Sequence, residues 1–138
     1  MNENELSREI VDAAFKIHTT LGPGLLESVY EAILAHELEK RGLKIVRQRA
    51  IPVVYDTVKL DLGFRADIIV NGKVIIEIKS VDALAPVHAK QVRTYLRLTD
   101  LRLGLLINFN VDLIKDGIRR VVNDLQLPDI SNKIGQAA

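Results

Sequence analysis

Residues 74–80 read Val-Ile-Ile-Glu-Ile-Lys-Ser, a strand-like run that carries a carboxylate and an ammonium two positions apart. Side chains alternate across a strand, so Ile75, Glu77 and Lys79 share one face and Val74, Ile76 and Ile78 the other. Burying a charge costs several kcal/mol unless it is paired or binds an ion. One reading is a salt bridge on a half-exposed sheet face. The other places an acid and an amine around a reacting group. The run before it, Phe64–Val70, carries a further carboxylate, Asp67, among apolar neighbours. Two carboxylates brought together repel and do not both stay ionised without a cation. A hard divalent ion with oxygen ligands, magnesium or manganese, resolves that conflict.

Whether the two acids meet depends on register. Asn71-Gly72 between the runs is a strong hairpin signal. A strict two-residue loop pairs Val70 with Lys73 and Asp67 with Ile76, which turns Asp67 away from Glu77. Convergence therefore predicts one extra residue, in a three-residue loop or a bulge, with Gly72 left-handed. On this reading Phe64, Ala66, Ile68 and Val70 line one side, and Asp67 lies with Ile69 on the other.

The elements that must position these groups follow from periodicity. Leu6, Ile10, Ala13, Ile17 and Leu21 recur at helical spacing, predicting an amphipathic helix over 5–20 that Gly22-Pro23-Gly24 breaks. A second helix is expected over 25–41, with Gly42 as its C-terminal cap. Its apolar arc, Leu25, Leu26, Val29, Tyr30, Ile33, Leu34 and Leu38, contains Glu27 and also Glu37, two acids that call for partners. Strands are expected over 44–47, 51–55, 64–70 and 73–79. Pro86 opens a helix over 86–99, with His88, Gln91, Val92, Tyr95 and Leu96 facing inward and Lys90, Arg93 and Arg97 outward. Gln91 and Tyr95 are spaced to touch; a buried amide capped by a phenol accounts for the pair without any chemical role. Residues 103–109 read as a strand buried on both faces, 117–122 as a short last strand, and 124–138 as an irregular tail. The order predicts an α/β layer structure.

Composition sets bounds. At 138 residues, 48% hydrophobic and 27% charged, the chain fits one globular domain over 1–138. It has no cysteine, which excludes disulfides and thiolate metal sites. No apolar run nears the ~20 residues of a membrane span, and the acidic start Met1–Ile10 lacks signal-peptide order; a cytoplasmic location is expected. Net charge is +1, yet Lys40, Arg41, Lys44, Arg47 and Arg49 form one basic group and Lys90, Arg93, Arg97 and Arg102 another. Each is either a solvated face or a holder of phosphates.

Asp67, followed ten residues later by Glu77-Ile78-Lys79, resembles the motif of the PD-(D/E)XK nuclease superfamily, with Arg65-Ala66 where the motif's name has a proline. Gly24-Leu25-Leu26-Glu27-Ser28-Val29-Tyr30 resembles the signature of its GxxExxY family. The resemblance covers about 5–123. It implies a restriction-endonuclease-like αβββαβ core, a mixed central sheet flanked by helices, with an extra N-terminal helix. It further implies Mg2+ or Mn2+ held by Asp67, Glu77 and an acid of the second helix, Glu27, with the Ile78 carbonyl as a further oxygen ligand. Lys79 would orient a water or stabilise developing charge, making Asp67, Glu77 and Lys79 the catalytic set. Gln91–Tyr95 resembles the Q-x-x-x-Y motif that lies beside the site in the exonuclease-like branch. Gln91, Tyr95, Tyr30 and His88 are the expected supporting residues, although Tyr30 and His88 also read as core or hydrogen-bonding groups. Arg41, Lys44, Arg47 and Arg49 are the expected contacts to a nucleic-acid backbone. The implied activity is hydrolysis of phosphodiester bonds, in DNA first, with a homodimer or a larger complex as the expected assembly. A module that binds nucleic acid without cutting it, and an assembly protein with an internal ion-pair network, stay open beside it.

Overall fold

The computed structural model describes residues 1–123; the expected irregular tail, 124–138, lies outside them. The chain opens with α1 (Glu3–Leu21) and α2 (Glu27–Lys40). Asn2 caps α1 in a reciprocal capping box with Glu5. Helix α2 ends in a Schellman motif: Gly42 N–H donates to the Glu39 carbonyl and Leu43 N–H to that of Leu38. The Gly22-Pro23-Gly24 break stands where sequence placed it.

Three antiparallel strands follow, β1 (Ile45–Tyr55), β2 (Val58–Val70) and β3 (Val74–Lys79). Then come α3 (Pro86–Thr99), β4 (Leu103–Asn108), a 3-10 turn over Ile114–Gly117, and β5 (Ile118–Val122). The sheet order is β1-β2-β3-β4-β5, with β3 and β4 parallel and the other neighbours antiparallel. This is the expected α/β core, a mixed five-stranded sheet consistent with a restriction-endonuclease-like fold. The strands expected over 44–47 and 51–55 are one strand, and β2 begins six residues earlier than expected. The polar stretch Arg47-Gln48-Arg49 and the exposed start of β2 hide that continuity, because neither shows a buried face.

Helices α1 and α2 cover one side of the sheet. They bury Leu6, Ile10, Tyr30, Leu34 and Leu38 against Ile68, Val70, Ile76, Ile78, Leu105 and Ile107. Helix α3 covers the other side, packing Val92 and Leu96 on Ile69, Ile75 and Leu106. A Cβ on Gly104 would meet Val92 Cγ1 at 2.5 Å, so the missing side chain sets how closely α3 approaches β4. Strands β3 and β4, covered on both faces, form the rigid centre from which the site projects.

Candidate active site at the splayed ends of β2 and β3

The turn decides the register. Val70 pairs with Val74, Ile69 with Ile75 and Ile68 with Ile76, so the loop holds three residues, Asn71–Lys73. Asn71 and Gly72 are both left-handed (φ 52° and 64°), as the longer loop requires. The same register carries Asp67 opposite Glu77. There the ladder stops and side chains replace it: Asp67 Oδ2 accepts the Ile78 N–H at 2.8 Å, and Glu77 Oε1 accepts the Asp67 N–H at 3.3 Å. Each acid caps the backbone of the opposing strand. The Lys79 carbonyl accepts the Phe109 N–H on the β4 side. Backbone groups alternate along a strand, so the Ile78 carbonyl points the other way, into the gap beside Asp67.

The alternation expected along β2 breaks at Asp67. Phe64 and Ala66 pack with Ile69 beneath α3, whereas Ile68 and Val70 belong to the opposite core. Strand β1 switches faces at the matching place: Arg47 pairs with Ile68 and Arg49 with Ala66, and Gln48 between them is left-handed at φ 50°. A non-glycine residue in that region is uncommon and needs surroundings that hold it. Its amide supplies them, donating to Glu31 Oε1 at 2.7 Å and to Asp67 Oδ1 at 3.1 Å. Arg47 Nε donates to the other oxygen of Glu31 at 3.1 Å.

Glu31 is the acid of α2 that sequence reading missed. It is buried and lies one amide away from Asp67, whereas Glu27, one turn earlier, is exposed and accepts the Ser80 N–H at 3.2 Å. The signal was present: Glu27, Glu31, Leu34 and Leu38 make one stripe at helical spacing. The expectation of three acids closing on one point is corrected. Two converge, and among the described residues no three His, Cys, Asp or Glu side chains gather tightly enough to hold a metal.

Electrostatics mark the converging pair. Burial, reinforced by the Asp67 charge, pushes the Glu77 carboxyl up to about 8. Burial also raises Asp67, with the Glu31 charge adding to it. Lys79 is half-buried and lowers both, yet forms no ion pair within 4 Å among the described residues. The donor set of Asp67, Glu77 and the Ile78 carbonyl, with Glu31 behind Gln48, is all oxygen, the chemistry a hard divalent cation takes.

The expected supporting residues divide. Tyr95 stands by the site: its ring stacks on Phe64 at 3.8 Å, and burial, then the charges of Glu77 and Asp67, raise its hydroxyl. Gln91 is exposed, and no hydrogen bond to Tyr95 forms, which corrects the buried amide–phenol pair; α3 buries Val92 and Leu96 instead, and this rotation leaves Gln91 at the rim. His88 Nδ1 accepts the Ala85 N–H and caps α3. Tyr30 is fully buried, stacks on Phe109 at 4.4 Å, and donates to the Gly22 carbonyl at 2.6 Å while accepting the Leu25 N–H. It shapes the turn that aims Glu27 and Glu31.

The expected basic strip is not one surface. Arg41 is held between α1 and α2 by Glu9, Asp12 and Glu37, because the capped end of α2 turns it toward the acids of α1. Arg47 is held by Glu31. Lys44 lies at the Asn71 turn, the opposite end of the hairpin. Arg49 faces the end of α3, near Leu98 and Leu101. Asn108, the polar exception in β4, was also missed. Fully buried, it accepts the Val81 N–H and donates to the Val81 carbonyl, fixing the chain beyond Lys79.

A family model, the PD-(D/E)XK nuclease superfamily, matches residues 4–121. The chain belongs to the PD-(D/E)XK nuclease superfamily. No curated protein and no solved structure gives a significant match. Members of the PD-(D/E)XK nuclease superfamily usually hydrolyse phosphodiester bonds and generally use divalent metals. No helix among the described residues is long and apolar enough to cross a membrane.

Proposed function

We propose that this PD-(D/E)XK protein is a magnesium- or manganese-dependent nuclease of the GxxExxY branch, cytoplasmic, acting on DNA. One observation carries the reading: Asp67 and Glu77 are drawn together at the end of a buried strand pair, and among the described residues no cationic side chain, Lys79 included, stands within 4 Å of either. An internal ion-pair network would supply that cation from the chain itself.

Asp67, Glu77 and the Ile78 carbonyl would hold the ion, with Glu31 joining as Gln48 releases or relays it. When bound, a divalent cation supplies Lewis acidity, easing deprotonation of water and neutralising charge on phosphate. The chain's own residues do the rest. Asp67 and Glu77 are fixed by the backbone of the opposite strand, so their oxygens need little reorganisation. Lys79 is one step along the same face from Glu77; its ammonium orients the attacking water or meets the charge that develops on the phosphate. The Tyr95–Phe64 stack closes the α3 side against bulk water. Arg65, exposed with its guanidinium on the Gln48 carbonyl, is positioned to meet a phosphate backbone.

The test is cleavage of single- and double-stranded DNA and RNA with Mg2+ or Mn2+, with Lys79→Ala as control. Metal-dependent cleavage of DNA lost in the variant supports the proposal. Retention of nucleic acid without cleavage in either metal replaces it with a binding module.

A further inference from the structure

Lys90, Arg93 and Arg97 recur at spacings of three and four along α3, so they form one stripe of the helix. All three are exposed. Arg93 donates to the Val122 carbonyl at 3.1 Å, which fixes the stripe on the β5 side of α3. Arg119, also exposed, joins it from β5. Its partner across the ladder is Leu106, and Leu106 in turn stands beside Glu77. Residues that pair in neighbouring strands share a face. Arg119 therefore lies on the face of Glu77, in the same row, two strands or about 10 Å away. Leu106 between them packs beneath α3. The four cations make a track that begins level with the carboxylate pair and follows the seam of α3 and β5 away from it.

Around α1 and α2 the cations are otherwise employed: Lys16, Lys40 and Arg41 by Glu9, Asp12 and Glu37. On the seam, among the described residues, no carboxylate stands within 4 Å of Lys90, Arg93, Arg97 or Arg119. Asp116, the nearest acid in the chain to Arg119, offers it a backbone carbonyl at 3.0 Å.

We propose that this track carries the phosphate backbone of a DNA duplex as it leaves the carboxylate site. The proposal rests on the reading of that site as one that meets nucleic acid, and says where the flanking part of the substrate lies. Charge chooses the partner: guanidinium and ammonium groups lined up without counter-charge suit a polyanion, whose counterions they release. The composition of the seam chooses the form. Single strands are held by aromatic rings on which bases stack, and the rings of this chain lie elsewhere. Tyr95 and Phe64 stack on each other at the β2 side of α3, Tyr30 and Phe109 stack in the core, Phe15 is on α1 and Tyr55 at the end of β1. The contacts left are to phosphate, which place a duplex without reading its sequence.

Fluorescence anisotropy of a labelled DNA duplex, with the full chain in chelated buffer, reads binding where no metal supports cleavage. Wild type is expected to bind. Lys90→Ala/Arg97→Ala/Arg119→Ala should bind about 10²-fold more weakly near 0.1 M salt, with log K falling less steeply against log salt by about 2.7, or about 0.9 for each lost phosphate contact. Lys90→Ala/Arg97→Ala, which removes no side chain bonded to the backbone, should show a change of about 1.8 with an unaltered far-UV spectrum. Arg8→Ala/Lys59→Ala/Lys73→Ala, the same loss of charge at exposed positions off the track, should stay within about 3-fold of wild type. This pattern supports the track even where added Mg2+ brings no cleavage, a result that would count against the nuclease reading alone. A wild type without affinity for the duplex overturns the proposal. So does equal weakening by the two triple variants, or a single strand held as tightly as the duplex.

Discussion

Two glutamates of this chain are buried to the same degree, 9% exposed, and live under opposite regimes. Glu37, on α2, is surrounded by Lys16 at 3.3 Å, Arg41 at 3.1 Å and Lys40 at 3.9 Å. The Arg41 hydrogen bond, opposed by burial and helped by Lys16 and Lys40, holds its carboxyl below the usual range. Among the described residues Glu77 has Asp67 for a neighbour and no ion-pair partner, and its carboxyl rises to about 8. Burial alone therefore does not identify a site. The fold-building carboxylate comes with its cations; the pair at the splayed strands has none within ion-pair distance among the described residues, and in the proposed function a metal ion takes that role.

The largest expected effect breaks the comparison in activity. Glu77→Gln lowers metal-dependent cleavage about 10³-fold, whereas Glu37→Gln leaves the rate within about 3-fold and lowers the melting temperature, as loss of a structural ion pair does.

Next is the pH dependence of metal-free stability. Folded Glu77 keeps its proton to about pH 8 and unfolded glutamate releases it near 4.5, so the folded state binds the extra proton between these values. The free energy of unfolding then falls as pH rises through that window, by on the order of 3–5 kcal/mol. Glu37 works in reverse: its contribution is present above its unfolded value and lost as pH falls through the folded one. Urea melts from pH 4.5 to 8.5 should show the decline, and Glu77→Gln should flatten it; a decline untouched by that substitution removes Glu77 as its source.

Smaller again is stabilisation by metal. Mn2+ at 100 times its dissociation constant should add about 2.7 kcal/mol to wild type and nothing to Asp67→Asn, measured by thermal melts in chelated and Mn2+-loaded buffer.

The finest test concerns the bridge. Gln48→Leu is expected to weaken Mn2+ binding ~10–100-fold, read by electron paramagnetic resonance of free Mn2+, with Glu31→Gln next and Glu27→Gln least. Equal effects of the two glutamates would return Glu27 to the site.

Much of this was legible. The order of elements, the break at Gly22–Gly24 and the three-residue loop followed from periodicity, turn chemistry and the condition that Asp67 and Glu77 meet. What escaped depends on contacts between distant segments. Gln48 looks like a surface residue in a polar run; only the pairing of β1 with β2 sets it opposite Asp67, and only α2 crossing that point gives it Glu31. Gln91 fits an inward arc at 100° per residue, yet the arc's centre lies nearer Val92 and Leu96, since Gly104 admits the helix most closely there. Basic residues neighbouring in sequence, Arg41 to Arg49, are scattered because a helix cap and a strand start aim them at different surfaces.

The Tyr30 hydroxyl grips both ends of the turn before α2, and Ser80, just past Lys79, donates to the Leu25 carbonyl within that same turn. A single phenol thus anchors a short mechanical linkage from the first helix to the tip of β3. Replacing it by phenylalanine would leave the ring stack intact while slackening the linkage, so the acids would keep their company and lose their aim.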